Sequence, residues 1–336
     1  MKNLWIKRVW GLLKTFLFPV LVYVIFLLIT FMMDRSGYAT SGAFDRIIRN
    51  SVLSTIIAYA IALPLSGARW DFAPGIIIIL SGIIGSNLAI DLDGGPMTLL
   101  LLTMGIAVVL SLLEGVLYLA IRVPTIIVSL GVVMVYEALS GIVYGGTGTQ
   151  LYMHPQLTVF ARSPWIYVVL LITMTLFYIL LGRTKFGYDM RSLSASPRLA
   201  VNMGVKEKKN IIITYLIVGA LLGVAAVINA STVLVSPANN LSSTSLMFSS
   251  MGPVLVGLYL ARFSNIPLGI FAGALGMNAL SYGMVVMGID SSIQTVNLGV
   301  FIVAFMGYTS NQEKIREFSK KIRIGAKNKS IRRQSQ

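Results

Sequence analysis

The 336-residue sequence is 56% hydrophobic and only 12% charged, with a mean hydropathy of +0.82 and a formal net charge of +15. A soluble domain carries roughly 25% charged residues, so this composition excludes an ordinary water-soluble enzyme or binding domain. The absence of cysteine excludes disulfides, thiolate metal sites and cysteine nucleophiles.

The basic excess is clustered. Of the 27 Lys and Arg residues, four fall in residues 1–14, seven in 182–210 and nine in 311–336. Basic residues gathered in a few loops and tails mark the cytoplasmic side of a membrane protein. They argue against nucleic acid as the partner, which a pI near 10.1 would otherwise suggest.

In chain order, Lys2, Lys7, Arg8 and Lys14 precede an apolar run over 15–33. The run is too long for a signal-peptide core and no small-residue cleavage site follows it, so it reads as an uncleaved first span starting in the cytoplasm. Further apolar runs lie near 51–65, 75–90, 97–121, 125–143, 165–181, 211–228, 246–260, 266–287 and 293–308. About 20 apolar residues cross a bilayer, so 51–65, 75–90, 246–260 and 293–308 are short. The fold class is all-α: a polytopic membrane protein of about ten transmembrane helices. A cytoplasmic tail of 1–14, a transmembrane body over 15–308 and a basic tail over 309–336 give consistent parity. Segments 34–50, 91–96 and 144–164 then face outward, and the loop 182–210 faces inward.

Two stretches break the hydrophobic pattern. SGARWDFAPG (66–75) carries two glycines, a proline, Arg69 and Asp71, and SPANNLSSTSLMFSSMGP (236–253) is polar throughout its first half. Irregular backbone at membrane depth survives only against protein or a water-filled cavity. Broken helices in corresponding places of two halves point to a substrate path. Spans two to five and seven to ten are therefore expected to form two related halves with broken or re-entrant helices. The spacings Gly219-x-x-x-Gly223 and Gly269-x-x-x-Gly273 are expected to serve close helix packing inside one bundle.

Chemistry-bearing residues are few. The single histidine, His154, falls in an outward loop, so histidine-based metal sites and catalysis lack material, and no G-x-x-x-x-G-K-[ST] phosphate loop occurs. A membrane-embedded transferase would need a clustered acid, base or metal site, which this sequence does not supply. Ionisable residues at membrane depth call for a role because their insertion is costly; here the candidates are Asp71, Glu114, Glu137 and Arg262. Each of them either lines a polar path or is a buried or interfacial structural group. Asn278, near the middle of the ninth span, is expected either to approach the pathway or to bond one helix to another.

The loop FGYDMRSLSASPRLAVNMGVKEKKN (186–210) interrupts two long apolar runs. Leu193, Pro197, Ala200 and Val201 fall near helical spacing, while Arg191, Arg198, Lys206, Lys208 and Lys209 supply charge. A short amphipathic helix of this kind packs on lipid headgroups or in the groove of a soluble partner.

Three stretches carry a family resemblance. T-K-F-G-Y…S-P-R-L-A-V-N-M-G-V (184–205) resembles the cytoplasmic coupling segment of bacterial ABC-importer permeases of the ribose and branched-chain amino-acid class. R-V-P-T-I-I-V-S-L-G…Y-G-G (122–146) resembles that family's proline, Leu-Gly and Gly-Gly pattern. D-F-A-P-G (71–75) is similar to its Asp-Leu-Ser-x-Gly stretch at Asp71 and Gly75. The sequence departs from the family at Ser194, Ala195 and Ser196, where Gly-Gly-Asn is usual, and at Arg262 and Phe263, where glycines are usual.

The resemblance implies a multi-pass permease subunit of the bacterial cytoplasmic (inner) membrane, moving a small polar solute such as a sugar or nucleoside. It has no cofactor of its own, since ATP is used by a separate cytoplasmic ATPase subunit. That subunit would be gripped through Arg191, Ser194, Ala195, Pro197, Arg198, Ala200 and Gly204. A second permease subunit, identical or different, and an extracellular or periplasmic solute-binding protein complete the implied assembly. Asp71, Gly75, Glu137 and Asn278 are the candidates for the translocation pathway. The alternative is an ion-coupled secondary transporter that uses the buried acids.

Overall fold

The computed structural model describes residues 2–149 and 151–311, and among these it is helical with no strand. The helices are α1 (Lys2–Met32), α2 (Ser41–Ser66), α3 (Pro74–Asp91), α4 (Pro96–Ile121), α5 (Thr125–Ile142), α6 (Trp165–Arg183), α7 (Lys185–Ala195), α8 (Pro197–Asn202), α9 (Glu207–Thr232), α10 (Thr244–Leu260), α11 (Ile266–Val286) and α12 (Ser291–Ser310). Among the described residues nine helices are long and apolar enough to cross a membrane, and α10, with 17 residues, is a shorter apolar helix. The ten apolar segments of the sequence are thus ten helices, and α7 and α8 occupy the polar interruption. The basic tail beyond Asn311 lies outside the described residues.

One boundary needs correction. The segment expected as an outward loop, 34–50, is helical from Ser41 onward. Thr40 caps this helix, its hydroxyl accepting from the Ala43 amide at 3.2 Å. Asp45 and Arg49, one turn apart, form an ion pair at 2.7 Å, and Asp45 also accepts from the Tyr167 hydroxyl of α6 at 2.6 Å. These charges depress hydropathy without breaking the helix, since pairs at this spacing support it.

The described residues up to Met287 form one compact body, and those from Gly288 form a second unit containing α12. That helix is opened by Asp290, which accepts from the Ser292 amide at 2.8 Å. Within the first body α2 and α9 run through the centre. α9 packs on α3 and α4, whereas α2 packs on α10 and α11, and the two touch each other. Each half therefore follows one plan: a long helix, a break, a shorter helix, then a return helix that flanks the other half's long one. No internal sequence repeat announces this, because helix packing needs only small residues and apolar stripes, which many sequences satisfy.

Glycine makes the close approaches possible. A Cβ at Gly219 would sit 2.6 Å from the Val108 Cα, and one at Gly223 would collide with the Met104 backbone, both on α4. Gly269 and Gly273 likewise press on the α10 backbone around Gly257 and Pro253. Both glycine pairs serve contacts within the chain. Polar groups are satisfied across the same seams: Ser111 donates to the Tyr215 carbonyl at 2.8 Å, and Tyr59 donates to the Pro267 carbonyl at 2.9 Å.

With the first residues cytoplasmic, each connection has a fixed side. In this cysteine-free chain, single cysteines at the exposed positions Asp93 and Met153 are expected to react with an impermeant maleimide added outside sealed cells. One at Ser194 is expected to stay unlabelled until the membrane is opened. Labelling of Ser194→Cys in sealed cells would reverse the topology.

Candidate functional site

The polar interruption folds as two short helices at right places for a connector. Thr184 starts α7, its hydroxyl accepting from the Gly187 amide at 3.3 Å. Gly187 is required there because a Cβ would strike the Leu180 and Leu181 carbonyls at the end of α6. Met190 and Leu193 of α7 are buried, as is Ala200 of α8. Pro197 occupies the first turn of α8, where its missing N–H costs nothing. Gly204 then takes φ +90, a left-handed conformation suited to glycine, and turns the chain toward α9.

This geometry redistributes the roles expected along the loop. Ala200, expected to insert into a partner's cleft, is only 4% exposed and faces the chain's own interior. It is small because α8 lies close to its support. Arg191 turns back on its own helix, donating to the Gly187 and Leu181 carbonyls, each at 3.2 Å, and lying 4.8 Å over the Tyr188 ring. The side chains offered to the cytoplasm are Arg198 with the apolar Leu199, 63% exposed, and Met203, 86% exposed. Ser194 and Ala195 are also exposed. Leu199 and Met203 were not singled out in the sequence; the signal was there, as apolar residues one turn apart in an otherwise polar loop. Ser194, Met190 and Arg191 line a cavity of about 410 Å³ that reaches Ala261 and Asn265 in the turn between α10 and α11.

The two broken segments meet. A Cβ on Gly75, in the first turn of α3, would overlap the carbonyl oxygen of Ser243, the residue that precedes α10. Two helix N-termini, each with unsatisfied amides and positive dipole ends, are thereby brought together. A buried carboxylate attends each of them. Asp71 Oδ1 accepts from the Ala73 amide at 2.9 Å, at the entry to α3. Glu137, from α5, accepts from the Leu241 amide at 2.8 Å and from the Ser243 amide at 3.0 Å, at the entry to α10. Ser140, one turn further along α5, accepts from the Ala238 amide at 3.1 Å. Thus α5 holds the whole segment from Ala238 to Ser243 in place. Asn240 and Leu241 have φ +51 and +62. Asparagine tolerates this region, whereas leucine does so only where neighbours hold it.

Below Asp71 lies a second acidic group. Glu114 of α4 is fully buried beside Asp71, whose carboxyl is the side chain that its own carboxyl meets. Arg69 is also buried, with its Nε and Nη2 lacking acceptors among the described residues and its guanidinium folded against Gly67. The sequence pointed to each acid separately, and the structure puts Asp71 and Glu114 side by side. Arg262 does not join them. Expected at membrane depth, it is exposed in the turn after α10 and lies 5.1 Å over the Tyr259 ring.

Asn278 donates to the Ser54 hydroxyl of α2 at 3.1 Å and to the Ala274 carbonyl at 2.9 Å. Its amide is engaged between α11 and α2. Asn278→Leu is therefore expected to lower thermal stability by about 0.6–1.7 kcal/mol, the range for interhelical hydrogen bonds in membranes. Transport at temperatures well below melting is expected to stay near wild type, and a large rise in transport KM would instead return Asn278 to the pathway.

Comparison with known proteins supports the same picture. Residues 43–308 match the family model described as branched-chain amino acid transport system / permease component. The galactofuranose transporter permease of Escherichia coli K12 is 20% identical over 269 residues, covering 77% of each chain. The galactose/methyl galactoside import permease of the same organism is 20% identical, covering 77% of this chain and 83% of the relative. The xylose/arabinose import permease of Sulfolobus acidocaldarius is 21% identical, covering 88% and 85%. No solved structure matches the chain. A family match that spans nine of the ten apolar helices, joined to a helical membrane body with convergent broken helices, places this chain in the branched-chain amino acid transport system / permease component family, as a multi-pass membrane permease.

Proposed function

We propose that this permease moves a neutral monosaccharide-like solute inward across the cytoplasmic membrane, driven by a separate cytoplasmic ATPase that grips α7 and α8. The observation that carries the reading is the connector itself: two short helices seated by Met190, Leu193 and Ala200 while Leu199 and Met203 stay bare. Bare apolar side chains on a polar cytoplasmic loop are what a groove-forming partner would cover. The sugars for which the relatives are named support the substrate class, and a solute-binding protein would deliver the sugar on the outer side. A second permease subunit would close the pathway along faces that one chain leaves open.

Co-purification tests the proposal. An ATPase subunit encoded with this chain is expected to remain bound through detergent extraction. Its turnover in liposomes is expected to rise when a loaded binding protein and galactose, xylose or fructose are supplied. The buried pair of Asp71 and Glu114 favours one rival reading, an ion-coupled transporter. Sugar uptake by this chain alone, driven by a proton gradient and indifferent to ATP, would establish that rival.

A further inference from the structure

The groove beside α5 deserves a function of its own. It is lined by Met134, Glu137 and Ala138 of α5 together with Pro237–Leu241, and its volume is about 380 Å³. Its depth follows from its partners. Glu137 is the thirteenth residue of α5, roughly 18 Å along the helix axis from its first residue at 1.5 Å per residue, just past the middle of a hydrocarbon layer of about 30 Å. The Leu241 and Ser243 amides bind Glu137 directly, so this part of the loop lies at that level.

At that depth Asn239, Asn240, Ser242 and Ser245 are exposed. The Asn239 and Asn240 side-chain amides make no hydrogen bond to any described residue. Lipid cannot satisfy such groups, so the face they form must meet water or a polar solute. We infer that this groove is a solute-binding subsite of the translocation pathway and that it takes a neutral polyhydroxylated ring. The inference rests on the importer reading above and adds the location and chemistry of recognition.

The chemistry selects the solute class. The Asn239 and Asn240 carboxamides that line the groove both donate and accept, which suits a sugar hydroxyl. No lysine or arginine lines the groove, so the carboxylate of an amino acid finds no counter-charge there, and the oxygens of Glu137, the one ionisable lining group, are held by the Leu241 and Ser243 amides. Met134 and Ala138 of α5 line the same groove and offer an apolar face for ring C–H groups. The volume falls within the roughly 300–1,000 Å³ of small-molecule sites.

The test uses the full chain in the membrane, which has no native cysteine. Asn240→Cys, and independently Asn239→Cys, are expected to react with a charged thiosulfonate about tenfold faster than Leu171→Cys on the exposed apolar face of α6, because only an aqueous path admits the reagent. Galactose or xylose in large excess is expected to slow the reaction at both groove positions, and leucine is not. Rates equal to that of Leu171→Cys at both positions would overturn the groove as part of the pathway. Labelling that leucine slows, or that none of these solutes slows, would overturn the assignment of a sugar subsite. Loss of ATPase co-purification would sink the importer reading, whereas these labelling rates are read on the chain by itself.

Discussion

Replacing Leu199 and Met203 together by serine is expected to uncouple this permease from its ATPase. Burying a leucine or methionine side chain contributes roughly 1.5–3 kcal/mol. Losing two such contacts removes about 3–6 kcal/mol, a hundredfold or greater fall in affinity at 1.4 kcal/mol per decade. Both side chains are exposed and hold up nothing in the chain itself, so the variant is expected to insert and melt like wild type. The measured quantities are the ATPase retained on the purified permease and the ATP-dependent uptake, both falling together. Arg198→Glu is expected to give a smaller loss that shrinks further as salt rises, because an exposed charge contact is screened. Ala200→Trp is a different kind of lesion. It overfills a buried seat and is expected to displace α8, costing about 1–3 kcal/mol of stability as well as coupling. Full ATPase retention by the Leu199, Met203 double variant would show that the partner grips elsewhere.

The helices were legible in the sequence for a physical reason: a span must be apolar over its whole lipid-facing length, so hydropathy alone finds it. The exceptions are instructive. The outer two turns of α2 hid behind Asp45, Arg46 and Arg49, whose charges are tolerated because the helix end reaches beyond hydrocarbon. Arg262 was read as lying at membrane depth, yet α10 ends at Leu260 and the arginine is exposed in the turn that follows, over the Tyr259 ring. The connector was visible as a polar interruption with residues spaced as a helix. Which of its faces is bare was not, since the seat of Ala200 and the internal engagement of Arg191 depend on where α6 ends and α7 begins. Glu137 shows the limit most clearly. Its residue type and position announced a role, but its partners lie 104 and 106 residues away, and nothing local encodes that contact. Gly75 was noted for its motif, while its cause, the Ser243 carbonyl pressed against it, arises only when the two halves are folded together.

Glu137→Ala is accordingly expected to be the most damaging single change in the pathway. It frees the Leu241 and Ser243 amides at a depth where no lipid group can accept them, and hydrogen bonds to a charged group are worth about 1.5–3 kcal/mol each. The left-handed backbone at Asn240 and Leu241 then loses the contact that holds it. The expected result is a segment from Ala238 to Ser243 that relaxes away from α5, with the start of α10 no longer fixed against Gly75. Transport is expected to fall by at least about tenfold, while ATPase retention, which depends on α7 and α8, stays intact. Glu137→Gln keeps one acceptor oxygen and a similar shape, so it should recover part of the activity. Gly75→Val attacks the same junction from the other side by driving a branched side chain into the Ser243 carbonyl. If Glu137 acts by fixing this junction, the two lesions share one cause, and the double variant should be little worse than the poorer single one. Additive losses would mean that Glu137 and Gly75 act on separate steps. Wild-type transport by Glu137→Ala would show that the junction is not part of the path at all.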